Sequence, residues 1–204
     1  MHSPTLYRLC RALVRHTWAR VCRVQVAGLE HLPPGPAVLC PKHQRWEDIP
    51  VVGLALPPPL FYIAKVELFT TPGVREFLRA LGGIPVDRAS PRATLSSFRQ
   101  LPPLLARRAY LVLFPEGTYV PGRVGPGKHR LIQYLLSLQE RNGCGPLPFI
   151  PVGISYRPRR VGFEARVRLG PPLYAPRSRL APALTTRLMA AIGELSRPSS
   201  TGDP

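Results

Sequence analysis

Lysine is nearly missing from this 204-residue chain: only Lys42, Lys65 and Lys128 occur among its 28 basic residues, which leaves 25 arginines. Acidic residues are scarce too, 11 in all, so the formal charge reaches +17. A surplus of that size points to partners that carry anionic groups, such as nucleic acid, phospholipid or a phosphorylated substrate. The arginines come with 27 prolines, a pattern that matches a coding bias toward GC-rich codons, so part of the charge is read as solvated surface without a partner.

Other absences narrow the class. Cys10, Cys22, Cys40 and Cys144 form no C-x-x-C pair and have no Cys/His ligand spacing, which argues against a zinc site or a thioredoxin-like redox centre. Four thiols do not make a disulfide scaffold at this length, and a reducing compartment is expected. No run approaches the roughly 18–20 apolar residues needed to cross a bilayer. Arg8, Arg11, Arg15 and Arg20 interrupt the N-terminal segment where a signal peptide needs an apolar centre, so the chain is expected on the cytoplasmic side. No serine occupies a G-x-S-x-G elbow, Cys40 lies within an apolar strand, and the Walker order G-x-x-x-x-G-K-[ST] does not occur. Covalent catalysis therefore has little support.

What is present reads as one globular domain, since 45% hydrophobic and 19% charged residues are ordinary for a folded protein. The opening "TLYRLCRALVRHTWARVCRV" spaces Leu6, Leu9, Cys10, Leu13, Val14, Thr17, Trp18 and Val21 near helical periodicity, with the arginines mostly elsewhere on the wheel. Residues 1–23 are expected as a basic amphipathic helix that lies in a headgroup layer or packs on the core with a wet face. Strand-like "VQVAGLE", "PAVLC", "FYIAK", "GIPVDR", "AYLVLF", "LPFIPVGISY" and "FEARVRLG" then alternate with helix-like "VELFTTPGVREFLRALG", "RATLSSFRQLPPLLARR", "KHRLIQYLLSLQERNG" and "LTTRLMAAIGELS". Pro102 and Pro103 should kink or split the second of those helices. This alternation predicts an α/β domain over residues 24–196, with a central mixed, partly parallel sheet flanked by helices and a frayed tail at 197–204.

In such sheets the chemistry gathers at the loops beyond the strand ends. The segment "PKHQRWEDIP" follows an apolar strand and sets His43 five positions before Asp48. An imidazole can take a proton from an alcohol if a partner fixes its tautomer and stabilises the imidazolium. In a regular helix those two positions lie about 140° apart. They meet only if the chain turns between them, with Asp48 in the first turn of a helix that Pro50 places there. Glu47, four residues from His43, is a rival partner on spacing alone. "FPEGTYVPGRVGPGKHR" offers backbone N–H groups with Arg123, Lys128 and Arg130 as an anion site, in which Glu116 orients an arginine or a hydroxyl. Arg88 at the end of "GGIPVDR" is a second phosphate candidate, with Asp87 as its salt-bridge partner.

Taken in order, these segments resemble the glycerolipid acyltransferases, the family of 1-acylglycerol-3-phosphate acyltransferases. That family shows His-x4-Asp, then a glycine-to-arginine segment, then Phe-Pro-Glu-Gly-Thr, then an apolar segment centred on proline. The matching positions are His43 to Asp48, Gly82 to Arg88, Phe114 to Thr118, and Ile150, Pro151 and Val152. The resemblance implies a glycerol-3-phosphate (1)-acyltransferase-like fold in which His43 is the general base and Asp48 orients it. It further implies that Arg88, Glu116, Gly117 and Thr118 build the glycerol phosphate pocket and that Pro151 shapes the wall near the donor; Arg123 or Lys128 is the candidate, on sequence, to replace the charge that Tyr119 does not supply. The chain departs from the family at Lys42, often Asn, at Arg45, often a small polar residue, and at Tyr119, commonly Arg.

The expected activity is transfer of an acyl group from acyl-carrier protein or acyl-CoA to the second hydroxyl of 1-acylglycerol 3-phosphate, giving phosphatidic acid. No metal or redox cofactor is expected, and the expected location is peripheral, on the cytoplasmic face of an anionic membrane. A different lysolipid acceptor, motivated by Tyr119, is the nearest alternative. A non-catalytic basic protein that binds membrane or nucleic acid is a more distant one, since the basic residues are scattered and no nucleic-acid motif occurs.

Overall fold

The apolar run before "PKHQRWEDIP" folds as a strand whose five residues are all buried, β2 (Ala37–Pro41). The computed structural model describes residues 3–18, 20–87, 101–106, 109–142 and 145–198. A strand covered on both faces belongs in the middle of a sheet with helices on both sides. Strand β2 lies between β5 (Tyr110–Val112) and β6 (Phe149–Pro158), parallel to both. The sheet is completed by β1 (Cys22–Ala27), β3 (Leu60–Lys65), β4 (Gly83–Val86) and β7 (Phe163–Leu169), in the order β1-β7-β6-β2-β5-β3-β4. Five strands from β6 to β4 run parallel, β7 runs antiparallel to β6, and β1 follows β7. The chain is thus a single α/β domain on a mixed, mostly parallel sheet, as its alternating pattern predicts.

Side chains alternate between the two faces of that sheet with a period of two. Val38, Cys40, Leu111 and Leu113 meet Ile132, Leu135 and Leu136 of one helix (His129–Asn142) and Leu184, Leu188 and Ile192 of another (Ala181–Leu195). Each fully buried aliphatic side chain there contributes about 1.5–3 kcal/mol of gross transfer free energy. Ala37, Leu39, Val112 and Phe114 point the other way, onto Val51 and Val52 of the short helix that starts at Asp48 and onto Leu56 just after it. Among the described residues the helices are, in chain order, α1 (Pro4–Trp18), α2 (Asp48–Ala55), α3 (Val74–Ala80), α4 (Leu101–Ala106), α5 (His129–Asn142) and α6 (Ala181–Leu195). A Cβ at Gly153 would come within 2.3 Å of the Leu195 backbone, so the bare glycine lets the end of α6 rest on β6.

Several boundaries differ from expectation for local reasons. The segment "VELFTTPGVREFLRALG" is not one helix: a 3-10 turn at Val66–Phe69 and α3 are separated by a break through Pro72 and Gly73. Gly73 takes a φ of 81°, and its N–H donates to the Glu76 carboxylate at 2.6 Å, which starts α3 afresh. Strand β1 stops at Ala27 because Gly28 turns into a left-handed conformation, so "GLE" is not strand. Pro102 and Pro103 occupy the first turn of α4, where a missing N–H costs little. The part of that segment before residue 101 lies outside the described residues, and so does Arg88, at the end of "GGIPVDR". Helix α1 ends at Trp18, and Val21 already belongs to the turn into β1.

The inward face of α1 also differs. Tyr7, Cys10, Arg11, Val14 and Trp18 are at least partly buried, whereas Leu9 and Leu13 are 65% and 61% exposed. Arg11 is therefore not on the wet face. Its Nε donates to the Gly53 carbonyl at 3.0 Å and its Nη2 to the carbonyls of Leu54 and Leu56 at 3.3 Å. Those carbonyls end α2 without an intrahelical partner, and a guanidinium satisfies them and opposes the helix dipole. Arg11→Met is expected to lower stability by about 1.5–3 kcal/mol in urea unfolding; a midpoint equal to wild type would contradict this anchoring.

Candidate active site

The carboxyl ends of the parallel strands deliver the candidate residues, as this topology favours. Strand β2 releases Lys42 and His43, and β5 releases Phe114 to Thr118, so residues some 70 positions apart meet above neighbouring strands. His43 Nδ1 lies 3.2 Å from Asp48 Oδ2. The same oxygen accepts the N–H groups of Gln44 at 2.5 Å and Arg45 at 2.8 Å. The carboxylate thus closes the non-helical turn that brings positions 43 and 48 together, and it is fully buried in doing so. Glu47, the rival partner, instead faces Arg45, Oε2 to Nε at 3.7 Å.

With Nδ1 tied to Asp48, Nε2 is the ring nitrogen left for a substrate proton. The imidazole is held from two further sides. The Phe114 ring stacks on it with centroids 4.0 Å apart, and the Tyr119 ring meets it edge-on at 4.4 Å. Phe114 belongs to the Phe-Pro-Glu-Gly-Thr segment, yet nothing in the spacing marks it as a wall for the histidine; only the alternation of β5 could have placed it on the face of Leu39 and Ile150.

Glu116 is sealed rather than presented. Its carboxylate receives Lys42 Nζ at 2.9 Å on both oxygens, the His43 N–H at 2.8 Å on Oε2 and the Gly125 N–H at 2.7 Å on Oε1. Lys42 Nζ also donates to the carbonyls of His43 at 3.1 Å and Val120 at 2.8 Å. Both side chains are about 2% exposed or less. Lys42, whose charge the sequence only adds beside the base, is a buried partner of Glu116, and that carboxylate orients a lysine where an arginine or hydroxyl was expected. Gly117 continues the loop at a φ of 68°, a conformation that favours glycine.

Other predicted residues lie at varying distances from this centre. Gly117 and Thr118 line the same cavity as His43. Lys128 fastens the loop by its N–H to the Pro115 carbonyl at 2.8 Å, while its side chain is exposed. Pro151 is buried in β6 opposite Cys40 and is not among the cavity's lining residues. Burial pushes the Cys40 thiol far above its ordinary range, which leaves it inert as a nucleophile.

The cavity itself has a volume of about 510 Å³ and runs from His43 between α1, α2, β3 and α3. Its walls are mainly apolar, with Val14, Leu54, Ile63, Leu68, Leu78 and Phe114 among them. Burial raises the Tyr62 phenol well above its usual range, and its hydroxyl donates to the Ile49 carbonyl at 3.2 Å, so the wall there is neutral. Among the described residues no group of three or more His, Cys, Asp or Glu side chains could hold a metal ion.

The Acyltransferase family model matches residues 23–155, which contain the dyad, the Glu116 loop and the β6 proline. The chain belongs to this family. Over 106 residues this acyltransferase is 36% identical to a 1-acyl-sn-glycerol-3-phosphate acyltransferase of Pseudomonas aeruginosa, a match covering 50% of this chain and 40% of that protein. A Bacillus subtilis protein of the same name is 31% identical over 116 residues, 55% of this chain and 57% of its own length. The matches therefore span only 30–57% of the curated relatives' own lengths. The crystal structure of the 1-acyl-sn-glycerophosphate acyltransferase from Thermotoga maritima aligns over 96% of this chain and 81% of its own, with a TM-score of 0.65 and 23% identity, which establishes the common fold.

The Lys42–Glu116 pair generates a stability prediction for this acyltransferase. Lys42→Met leaves a carboxylate buried without its cation and is expected to cost about 3–5 kcal/mol. Adding Glu116→Gln should recover part of that loss by removing the stranded charge. Equal unfolding midpoints for wild type and Lys42→Met would contradict the pairing.

Proposed function

We propose that this acyltransferase moves a fatty acyl group from an acyl thioester, acyl-ACP or acyl-CoA, to the sn-2 hydroxyl of 1-acyl-sn-glycerol 3-phosphate, giving phosphatidic acid for phospholipid synthesis. The observation that carries the reading is the His43–Asp48 pair, its carboxylate fully buried and its imidazole lining a largely apolar cavity. His43 Nε2 takes the proton of the acceptor hydroxyl as its oxygen attacks the thioester carbonyl. The tetrahedral intermediate then expels the thiolate, which takes the proton back from the imidazolium. Asp48 holds the ring in the Nδ1–H tautomer and stabilises its charge. The step balances without any electron carrier.

An acyl chain fits the apolar cavity, whose volume lies within the usual range for small-molecule sites, about 300–1,000 Å³. Lys65 and Arg11 are its lysine and arginine among the described lining residues. Arg11 is committed to the end of α2, which leaves Lys65, at the carboxyl end of β3, for the acceptor's phosphate together with Arg88 and the exposed Lys128. Leu9 and Leu13 on the outer side of α1, with Arg8 and Arg15 nearby, suit a peripheral position on the cytoplasmic face of an anionic membrane. Among the described residues no helix is long and apolar enough to cross one.

Tyr119 favours a second reading. It lies against the base, half exposed, and brings an aromatic edge where a guanidinium would grip phosphate. An acceptor with a different headgroup, such as another lysophospholipid or a lyso-amino-acid lipid, would use the same base. Purified protein with vesicles, an acyl thioester and a panel of lysolipids separates the two: the leading reading expects 1-acylglycerol 3-phosphate to be acylated fastest. His43→Ala is expected to keep the fold and lose about 10²–10⁴-fold in turnover. Activity within a few-fold of wild type in that variant would remove His43 from the reaction.

A further inference from the structure

We propose that Tyr156 is a positioning residue for the reaction, the third member of a Tyr156–Asp48–His43 relay in which its phenol fixes the carboxylate that orients the base. The proposal rests on the acyl-transfer reading above. Asp48 divides its hydrogen bonds unevenly. Oδ2 faces His43 Nδ1 and two backbone N–H groups, whereas Oδ1 has the Tyr156 hydroxyl at 2.6 Å. A carboxylate that accepts from both sides cannot rotate about its own axis without breaking one set. The lone pair offered to Nδ1 is therefore set from 108 residues away in the chain.

The phenol is built to stay a donor. Burial first, and the neighbouring Asp48 charge second, hold Tyr156 far above the ordinary phenol range. Its ring is held as firmly as its hydroxyl. The Arg45 guanidinium lies 3.6 Å over the ring centroid and 4.6 Å over that of Phe163, and the Phe163 ring meets Tyr156 edge-on at 5.6 Å. Tyr156 can serve Asp48 because β6 continues to Pro158, past Val152, where its pairing with β2 ends. The same stretch sends the Ile154 carbonyl to Gln44 Nε2 at 2.9 Å, so β6 grips the His43–Asp48 turn at two points.

Tyr156→Phe removes only the hydroxyl and keeps the ring between Arg45 and Phe163. The other charged and titratable groups around the dyad stay in place: Arg45 and Glu47 in the turn, Lys42 and Glu116 behind the His43 backbone, and Tyr119 against its ring. Without the phenol the carboxylate loses its fixed angle, and its negative charge concentrates on the side of His43. Turnover is expected to fall by about 10–100-fold, the scale seen when the group behind an active-site ligand is lost. KM for both substrates should change less than two-fold. The acid limb of the kcat/KM profile should move to higher pH by roughly half a unit.

The experiment compares wild type and Tyr156→Phe in three ways: steady-state kinetics against pH, urea unfolding, and an NMR titration of the His43 ring nitrogens in the substrate-free protein. A lower kcat with a displaced acid limb and a displaced His43 titration supports the relay. A kcat and titration equal to wild type overturn it. So does a loss of activity that tracks a loss of stability while the titration stays in place, because that is what a merely structural tyrosine would give. If wild type acylates no acceptor, the functional reading fails, and the His43 titration still decides whether Tyr156 acts on the dyad.

Discussion

A buried ammonium group must be surrounded by oxygen, and around Lys42 that requirement organises the whole site. Its four acceptor atoms come from Glu116, His43 and Val120, so one charge fastens the end of β2 to the loop after β5. Desolvating two charges is costly, and a buried pair of this kind is weak as a source of net stability. Its value is geometric. The Glu116 carboxylate holds the His43 N–H and the Gly125 N–H at once, and the Val120 N–H returns to the His43 carbonyl at 2.9 Å. The backbone of His43 is therefore fixed by contacts independent of those its side chain makes.

The imidazole is then fixed a second time by different elements. Asp48 comes from the first turn of α2, Phe114 from the end of β5 and Tyr119 from the loop beyond it. General-base catalysis depends on the geometry of the proton acceptor as well as on its affinity for the proton. A ring clamped by a carboxylate, a stacked ring and an edge-on ring has little freedom to lose when substrate arrives. Under the proposed reaction the apolar cavity beginning at that ring would bring the same economy to the substrate, since an acyl chain lying in it would present its reactive end to the nitrogen. Arg11 ties α1, one wall of the cavity, to the end of α2, whose first residue is Asp48. The N-terminal helix and the His43–Asp48 turn are in this way held by opposite ends of one short helix.

Much of this was legible in the sequence. Strand positions, the start of α2 at Asp48 and the order of the motif segments follow from apolar periodicity and from spacing that survives in one dimension. The turn between His43 and Asp48 could be expected because a regular helix would hold the two apart. What remained hidden depends on long-range contact. Nothing in "PKHQ" shows that Lys42 will meet Glu116, 74 residues on, and a buried lysine contradicts the usual behaviour of that residue. Arg11 looked like one more arginine on a wet helix face, because its acceptors are backbone carbonyls that leave no trace in composition. Tyr156 reads as the last apolar residue of a strand, and its role depends on how far β6 runs beyond β2.

In the proposed reaction His43 acts as a base on the acceptor and never carries the acyl group itself. Intact-protein mass spectrometry after mixing the enzyme with acyl thioester alone tests this most directly, with released thiol counted in parallel. With His43 acting only as a base, the protein mass stays unchanged and no stoichiometric burst of thiol appears until a lysolipid is added. An acylated protein formed without acceptor, with one thiol released per chain, would contradict it.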